Sequence, residues 1–185
     1  MSRCFIVKSV YNARAIKAMT TANYHLYQSS IVKKVYAIGL LLLCIGLVLS
    51  TSSLKTLATI LLLIGCIVLA NGEFPAHQAA KAILASFSQN TQEVEFHFFQ
   101  DNIRIYLSNQ SETINYTRIQ KISENRDYFI LFLGPGNAYV IDKSSFTLGT
   151  IQGFRPFITQ KTSLQLESPS LIRMIFKFRL GKKLS

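Results

Sequence analysis

The chain has 185 residues, 49% of them apolar and 16% charged, with a formal net charge of +11 and a mean hydropathy of +0.27. That length holds one or two small domains, and so high a hydropathy with so few charges argues against an ordinary soluble protein. The three cysteines, Cys4, Cys44 and Cys66, show no CxxC spacing, which excludes a disulfide framework and a cysteine metal site.

Neither charge nor apolar content is spread evenly. Residues 1–72 carry Arg3, Lys8, Arg14, Lys17, Lys33, Lys34 and Lys55 and no acidic residue, whereas residues 91–170 hold seven basic against eight acidic side chains. The last residues are basic again, with Arg173, Lys177, Arg179, Lys182 and Lys183. Because these basic ends flank apolar runs, the expected partner is an anionic membrane surface, which attracts such segments by about 1 kcal/mol per residue. A nucleic acid is not expected.

In chain order, Cys4 to Val10 reads as a short strand. Residues 14–34 lack Gly and Pro, and their composition predicts a helix running into the first apolar run. That run is Val35 to Leu49, uninterrupted, followed by Ser50-Thr51-Ser52-Ser53. A second run, Leu57 to Ala70, is broken only by Thr59. With their flanks, residues 35–53 and 54–72 each reach about 28 Å as helices, close to the hydrocarbon thickness of a bilayer. The expectation is a transmembrane helical hairpin. A buried hairpin in a soluble protein and a re-entrant hairpin satisfy the same pattern; a cleaved signal peptide fits poorly, because some thirty residues precede the first run and a second follows at once.

Lys33 and Lys34 before the first run and Lys81 after the second, against Lys55 alone in the loop, predict that both termini are cytoplasmic. Gly39 and Gly46 in the first helix, and Ala58, Gly65 and Gly72 in the second, recur at two-turn spacing. Such small residues mark either the seam of the hairpin or an oligomer contact.

An alanine-rich stretch, Phe74 to Phe87, predicts a helical connector over 73–92, with Pro75 in its first turn and Ala79, Ile83 and Phe87 on one face. From Glu93 the period becomes two: Val94, Phe96 and Phe98, then Ile103, Ile105 and Leu107, separated by a turn at Asp101-Asn102. Further strands are expected from Thr113 to Tyr116, around Ile119 and Ile122, from Tyr128 to Leu133 and from Ala138 to Ile141, the last two joined by Gly134-Pro135-Gly136-Asn137. The near-continuous apolar strand from Tyr128 should be covered on both faces. Phe146, Phe154, Phe157 and Ile158 could line a helix over 146–161, broken or kinked at Pro156. Together these predict an antiparallel meander closed by a helix. Residues 162–185 form a basic tail that is either an amphipathic helix lying in the headgroup plane or a strand.

The organisation resembles the YcxB-like family of small bacterial membrane proteins. The resemblance is carried by Tyr24-His25 before Lys33-Lys34, the double apolar run, Val94-Glu95-Phe96 with Asp101 and Ile103, Tyr116 with Ile119 to Glu124, Tyr128 to Phe132, Ala138 to Lys143, Phe146 and Phe154, over residues 5 to about 160. Tyr116 stands where that family usually has Trp, and Asp142-Lys143 where it has Pro-Lys. The resemblance implies an α+β membrane protein whose cytoplasmic β-domain, residues 93–161, is similar to pleckstrin-homology modules. It supplies no catalytic residues.

Nor does the sequence nominate any. His25, His77 and His97 lie in separate segments without metal spacing, no glycine-rich phosphate loop leads into a helix, and no serine elbow is present. Glu93 and Glu95 share a strand face, the ordinary place for them. The expected function is a membrane-anchored binding or scaffold module, without catalysis or cofactor, whose β-domain takes an unidentified protein or ligand. An oligomeric transport or channel component is the alternative, although only Lys55, at a helix end, is ionisable within the second run.

Overall fold

A computed structural model describes residues 3–72, 74–86, 92–107 and 110–168. The architecture is mixed α+β, with five α-helices and two β-sheets among the described residues. The chain opens on β1 (Phe5–Tyr11), α1 (Ala13–Tyr27), α2 (Ser29–Ser50), α3 (Lys55–Ala70) and α4 (Phe74–Ser86). There follow β2 (Gln92–Phe98), β3 (Asn102–Leu107), β4 (Gln110–Asn115), β5 (Lys121–Glu124), β6 (Tyr128–Gly134) and β7 (Asn137–Asp142). It closes with β8 (Phe146–Leu148), α5 (Ile151–Thr162) and β9 (Leu166–Glu167).

The first sheet has the order β4-β3-β2-β1-β8 and the second β7-β6-β5-β9. The N-terminal strand is therefore not a separate segment ahead of the apolar helices. β1 lies inside the first sheet, antiparallel to β2 in unbroken register from Phe5↔Phe98 to Tyr11↔Gln92, with β8 on its other side. It also ties the sheets together: the Asp142 amide donates to Ser9 Oγ at 2.9 Å and the Val140 amide to Tyr11 Oη at 3.0 Å. The β-domain is thus discontinuous in sequence, and α1 to α4 are an insertion between two neighbouring strands. A scan for period-two segments from residue 93 onward has no means of recruiting β1, since its partner lies more than eighty residues away.

The core lies between the sheets. Val7, Phe96, Phe98, Ile103, Ile105, Phe129, Leu131 and Ile141 are buried there together with Phe154 and Ile158 of α5. The strand from Tyr128 is covered on both faces, as its apolar run predicts: Phe129 and Leu131 enter this core, while Tyr128, Ile130 and Phe132 pack on Ala15 and Ala22 of α1. One pairing departs from an antiparallel meander, because β9 runs parallel to β5.

Several boundaries differ from the sequence reading for local reasons. The helix expected over 14–34 breaks at Gln28 (φ −114°, ψ 28°), where no Gly or Pro announces it. The break frees the Leu26 carbonyl, which accepts from Lys121 Nζ of β5 at 2.8 Å, while that ammonium also sits 4.6 Å from the Tyr27 ring. The helix expected from Phe146 begins only at Ile151. Phe146 to Leu148 instead pair with β1, and Thr150 caps the helix by accepting from the Gly153 amide at 3.2 Å. Gly149 between them has φ +85°, and a Cβ there would stand 2.2 Å from the Phe5 ring, so a side chain is excluded twice over. α5 continues through Pro156 without a break; the amide that proline lacks would have paired with the carbonyl of Gln152, an exposed residue on the first turn where water can serve. On α4 the buried residues are Ala76 and Ala80, one position off the expected face, and Phe87 lies outside the described residues, as do Ser108, Asn109 and all of 169–185.

The discontinuity has a direct consequence. A fragment of residues 92–168 should fail to show a cooperative thermal transition. Residues 3–27 joined to 92–168 by a flexible linker of about twenty residues, which reaches roughly 25 Å, should melt cooperatively. A sharp transition in the fragment alone would contradict the placement of β1.

Candidate functional site at the helical insertion

α2 has 22 residues, or about 33 Å of helix, and it is long and apolar enough to cross a membrane, with 17% of its apolar window buried. A core helix of a soluble protein would be mostly buried. α3, with 16 residues and about 24 Å of length, reaches that criterion only together with Phe74–Ala85, past a bend of 44°. Fourteen large apolar side chains from Ile31 to Phe74 are 41–70% exposed, and on the rest of the described surface only Tyr106 and Leu148 join them. A contiguous exposed apolar surface of that extent marks a membrane or protein contact.

α2 and α3 pack against each other through small residues. Gly39, Gly46, Ala58 and Gly65 are all buried. A Cβ at Gly46 would meet Leu62 Cγ at 2.8 Å and the Ala58 carbonyl at 3.2 Å; one at Gly65 would meet Leu43 Cδ2 at 2.9 Å and the Gly39 carbonyl at 3.1 Å; one at Gly39 would meet Leu69 Cδ2 at 2.6 Å. Gly72 faces the ring of Tyr36 in the same way. These residues form the contact between the two helices rather than an outward face. Lys33 and Lys34 are exposed in the first turns of α2. Arg173, Lys177, Arg179, Lys182 and Lys183 lie outside the described residues.

Where the insertion meets the β-domain, α1 and α4 flank a cleft of about 170 Å³ whose described lining includes Met19, Thr20, Asn23 and Tyr24 of α1, Ala79 and Ile83 of α4, and Gly136 of the β6–β7 turn. Tyr24 packs on Val32 and Ala76, and Asn23 Oδ1 accepts from the Gly136 amide at 2.8 Å, holding the β6–β7 turn over α1. No sequence signal joins these residues, since α1 and α4 are separated by the whole hairpin.

The ionisable groups of the β-domain form structural clusters. Glu124 accepts from Arg155 Nη2 at 2.5 Å and Nε at 3.1 Å and from Lys143 Nζ at 2.7 Å. Burial pushes its carboxyl up, but the two hydrogen-bonded cations outweigh that and hold it below the ordinary carboxylate value. The bond from His97 Nε2 to Glu95, at 2.8 Å, likewise lowers the Glu95 carboxyl, with Lys8 3.8 Å away. Glu93 is exposed. Among the described residues no three His, Cys, Asp or Glu side chains come together as metal ligands.

The family model of YcxB-like protein matches residues 98–158, from the end of β2 through most of α5. The chain carries a YcxB-like domain. No curated protein matches the sequence, and no solved structure matches the fold. The YcxB-like match holds β3 to β8 and most of α5, whereas β1, which completes the sheet, and the entire insertion precede it.

Two outcomes follow from this geometry. Gly65→Leu, which cannot be accommodated without separating α2 from α3, should lower the unfolding free energy of the detergent-solubilised chain by about 1–3 kcal/mol, while Leu63→Ala, at a position 60% exposed, should change it little; equal losses would argue against the seam. The Glu124 carboxylate, depressed in the folded state, contributes stability that is present above its unfolded value near 4.5 and is lost as pH falls through the lower folded value. Glu124→Gln should therefore cost about 1–2 kcal/mol at neutral pH and flatten the acid limb of a melting-temperature profile below pH 4.5, an effect absent if the cluster is energetically idle.

Proposed function

We propose that the chain is a membrane-anchored binding or scaffold module, in which α2 and α3 cross the bilayer as an antiparallel pair and carry a YcxB-like β-domain on the cytoplasmic face. The observation that carries this reading is the band of exposed apolar side chains on α2 and α3. Nothing else in the described structure covers it, and exposing it to water would cost roughly 25 cal/mol for every Å².

The pairing of β1 with β2 supports two crossings over one. Tyr11 and Gln92 are strand neighbours, so the insertion between them must return to the side it left. α2 alone would carry the rest of the chain across; α3 brings it back. At about 24 Å, α3 is shorter than the hydrocarbon core, a mismatch met by local thinning of the bilayer or by the polar residues at either end. Lys33 and Lys34 at the start of α2 favour a cytoplasmic location for that end and for both termini, with an anionic inner leaflet as the lipid partner. Two sheets enclosing one core, with α5 buried against it, support the pleckstrin-homology-like reading of the domain, whose ligand would be a protein or peptide. No set of groups in the described residues suggests catalysis.

With Cys4, Cys44 and Cys66 replaced by Ser, Ser52→Cys in the α2–α3 loop should react with a membrane-impermeant maleimide on intact cells. Thr117→Cys, exposed on the β-domain, should react only after lysis. The opposite pattern reverses the orientation, and labelling of both in intact cells removes the crossing altogether.

A further inference from the structure

The last described strand, β9, is tied to the foot of the apolar hairpin. Lys121 Nζ of β5 donates to the Leu26 carbonyl at 2.8 Å and stands 4.6 Å from the Tyr27 ring, at the end of α1 and two residues before α2 begins. The next residue of β5, Ile122, is the strand partner of Leu166 in β9, and Ser123 is that of Glu167. Burial, and then the nearby Glu167 carboxylate, raise the Tyr27 hydroxyl above its ordinary value, which sets β9 beside the same helix end. The chain beyond Ser168 is therefore released at the junction where α2 leaves the β-domain.

What is released there is strongly cationic. Residues 169–185 carry Arg173, Lys177, Arg179, Lys182 and Lys183 and no acid, interleaved with large apolar residues such as Ile172, Met174, Phe176, Phe178 and Leu180. The β-domain is a poor counter-charge for five cations. Residues 91–170 are close to neutral, and Glu95, Glu112 and Glu124 are already paired with Lys8, with Arg118, and with Lys143 and Arg155. The first turns of α2 are themselves basic, through the exposed Lys33 and Lys34. An anionic leaflet meets both demands of the segment: its surface potential attracts the cations, and its headgroup–acyl boundary takes the apolar side chains between them. A nucleic acid would satisfy the charge and leave those side chains in water. With α2 crossing a bilayer from its Lys33–Lys34 end, that leaflet lies where the segment starts.

We propose that residues 169–185 bind the surface of the anionic leaflet beside the foot of α2, fixing the β-domain to the membrane at a second point through β9. The proposal rests on the membrane reading above and adds to it a peripheral attachment, electrostatic and reversible, separate from the hairpin.

The test uses the full chain with Cys4, Cys44 and Cys66 replaced by Ser, labelled through Gly181→Cys with an environment-sensitive dye and reconstituted into vesicles that contain a nitroxide-quencher lipid. The vesicles are phosphatidylcholine alone, or phosphatidylcholine mixed with phosphatidylglycerol. The attached-to-free ratio of the segment, read from the quenching, should be at least about fivefold higher in the mixed vesicles, the factor contributed by a single basic residue. It should fall in about 0.5 M salt, where the screening length shrinks to about 4 Å, and Ser at all five basic positions should abolish the preference for the mixed vesicles. A ratio equal in the two lipids, or unmoved by salt, overturns the proposal. So does a dye quenched in neither lipid, in which case the segment serves its own domain or a soluble polyanion. A second dye site, Leu63→Cys, at a position 60% exposed within α3, should be quenched in both lipids and at both salt concentrations. Absence of that quenching overturns the membrane reading instead, so the two failures are distinct.

Discussion

The antiparallel pairing of β1 with β2 is the constraint on which the molecule is built. Seven residue pairs, from Phe5↔Phe98 to Tyr11↔Gln92, bring together strands separated by the whole helical insertion. β1 fills the first sheet between β2 and β8, and it supplies Ser9 and Tyr11 as acceptors for backbone amides of β7 in the other sheet. Without it, Val7 would leave the core, and the two sheets would lose their shared strand-to-strand bridge. Closing so long a loop costs only slowly growing entropy, and the helices inside the loop repay part of it by packing on each other.

That pairing also explains why the insertion is a hairpin. Its two ends are fixed side by side, so a helix leading away must be matched by one leading back. Glycines and alanine at the contact let α2 and α3 approach until backbone carbonyls limit them, the close approach that small residues permit between helices. The large side chains are accordingly turned outward, the inverse of a soluble helical pair.

The junction between insertion and β-domain is held by polar contacts at the two ends of α1. Asn12 caps its start, with the Ala15 amide donating to Asn12 Oδ1 at 3.0 Å, and Lys121 from β5 serves the carbonyl freed at its end. Apolar packing of Ala15 and Ala22 on β6 fixes the helix between them. The break at Gln28 lets α2 leave in a new direction while α1 stays on the sheet, so a rigid β-domain and an apolar hairpin can share one chain without straining either.

By itself the sequence determined the elements whose signal is local: the apolar runs, the small residues spaced two turns apart, the period-two strands from Val94 to Leu107 and the doubly covered strand from Tyr128. In each case neighbouring residues report on one face or one solvent. Tertiary structure alone decided the membership of β1 in the sheet, the break at Gln28, the strand at Phe146 and the cleft beside Tyr24. Each of these depends on a partner far along the chain — β2 for β1, Lys121 for the α1 carboxyl end, β1 for Phe146, α4 for Tyr24 — and the free energy of such a contact leaves no periodicity in the residues that make it.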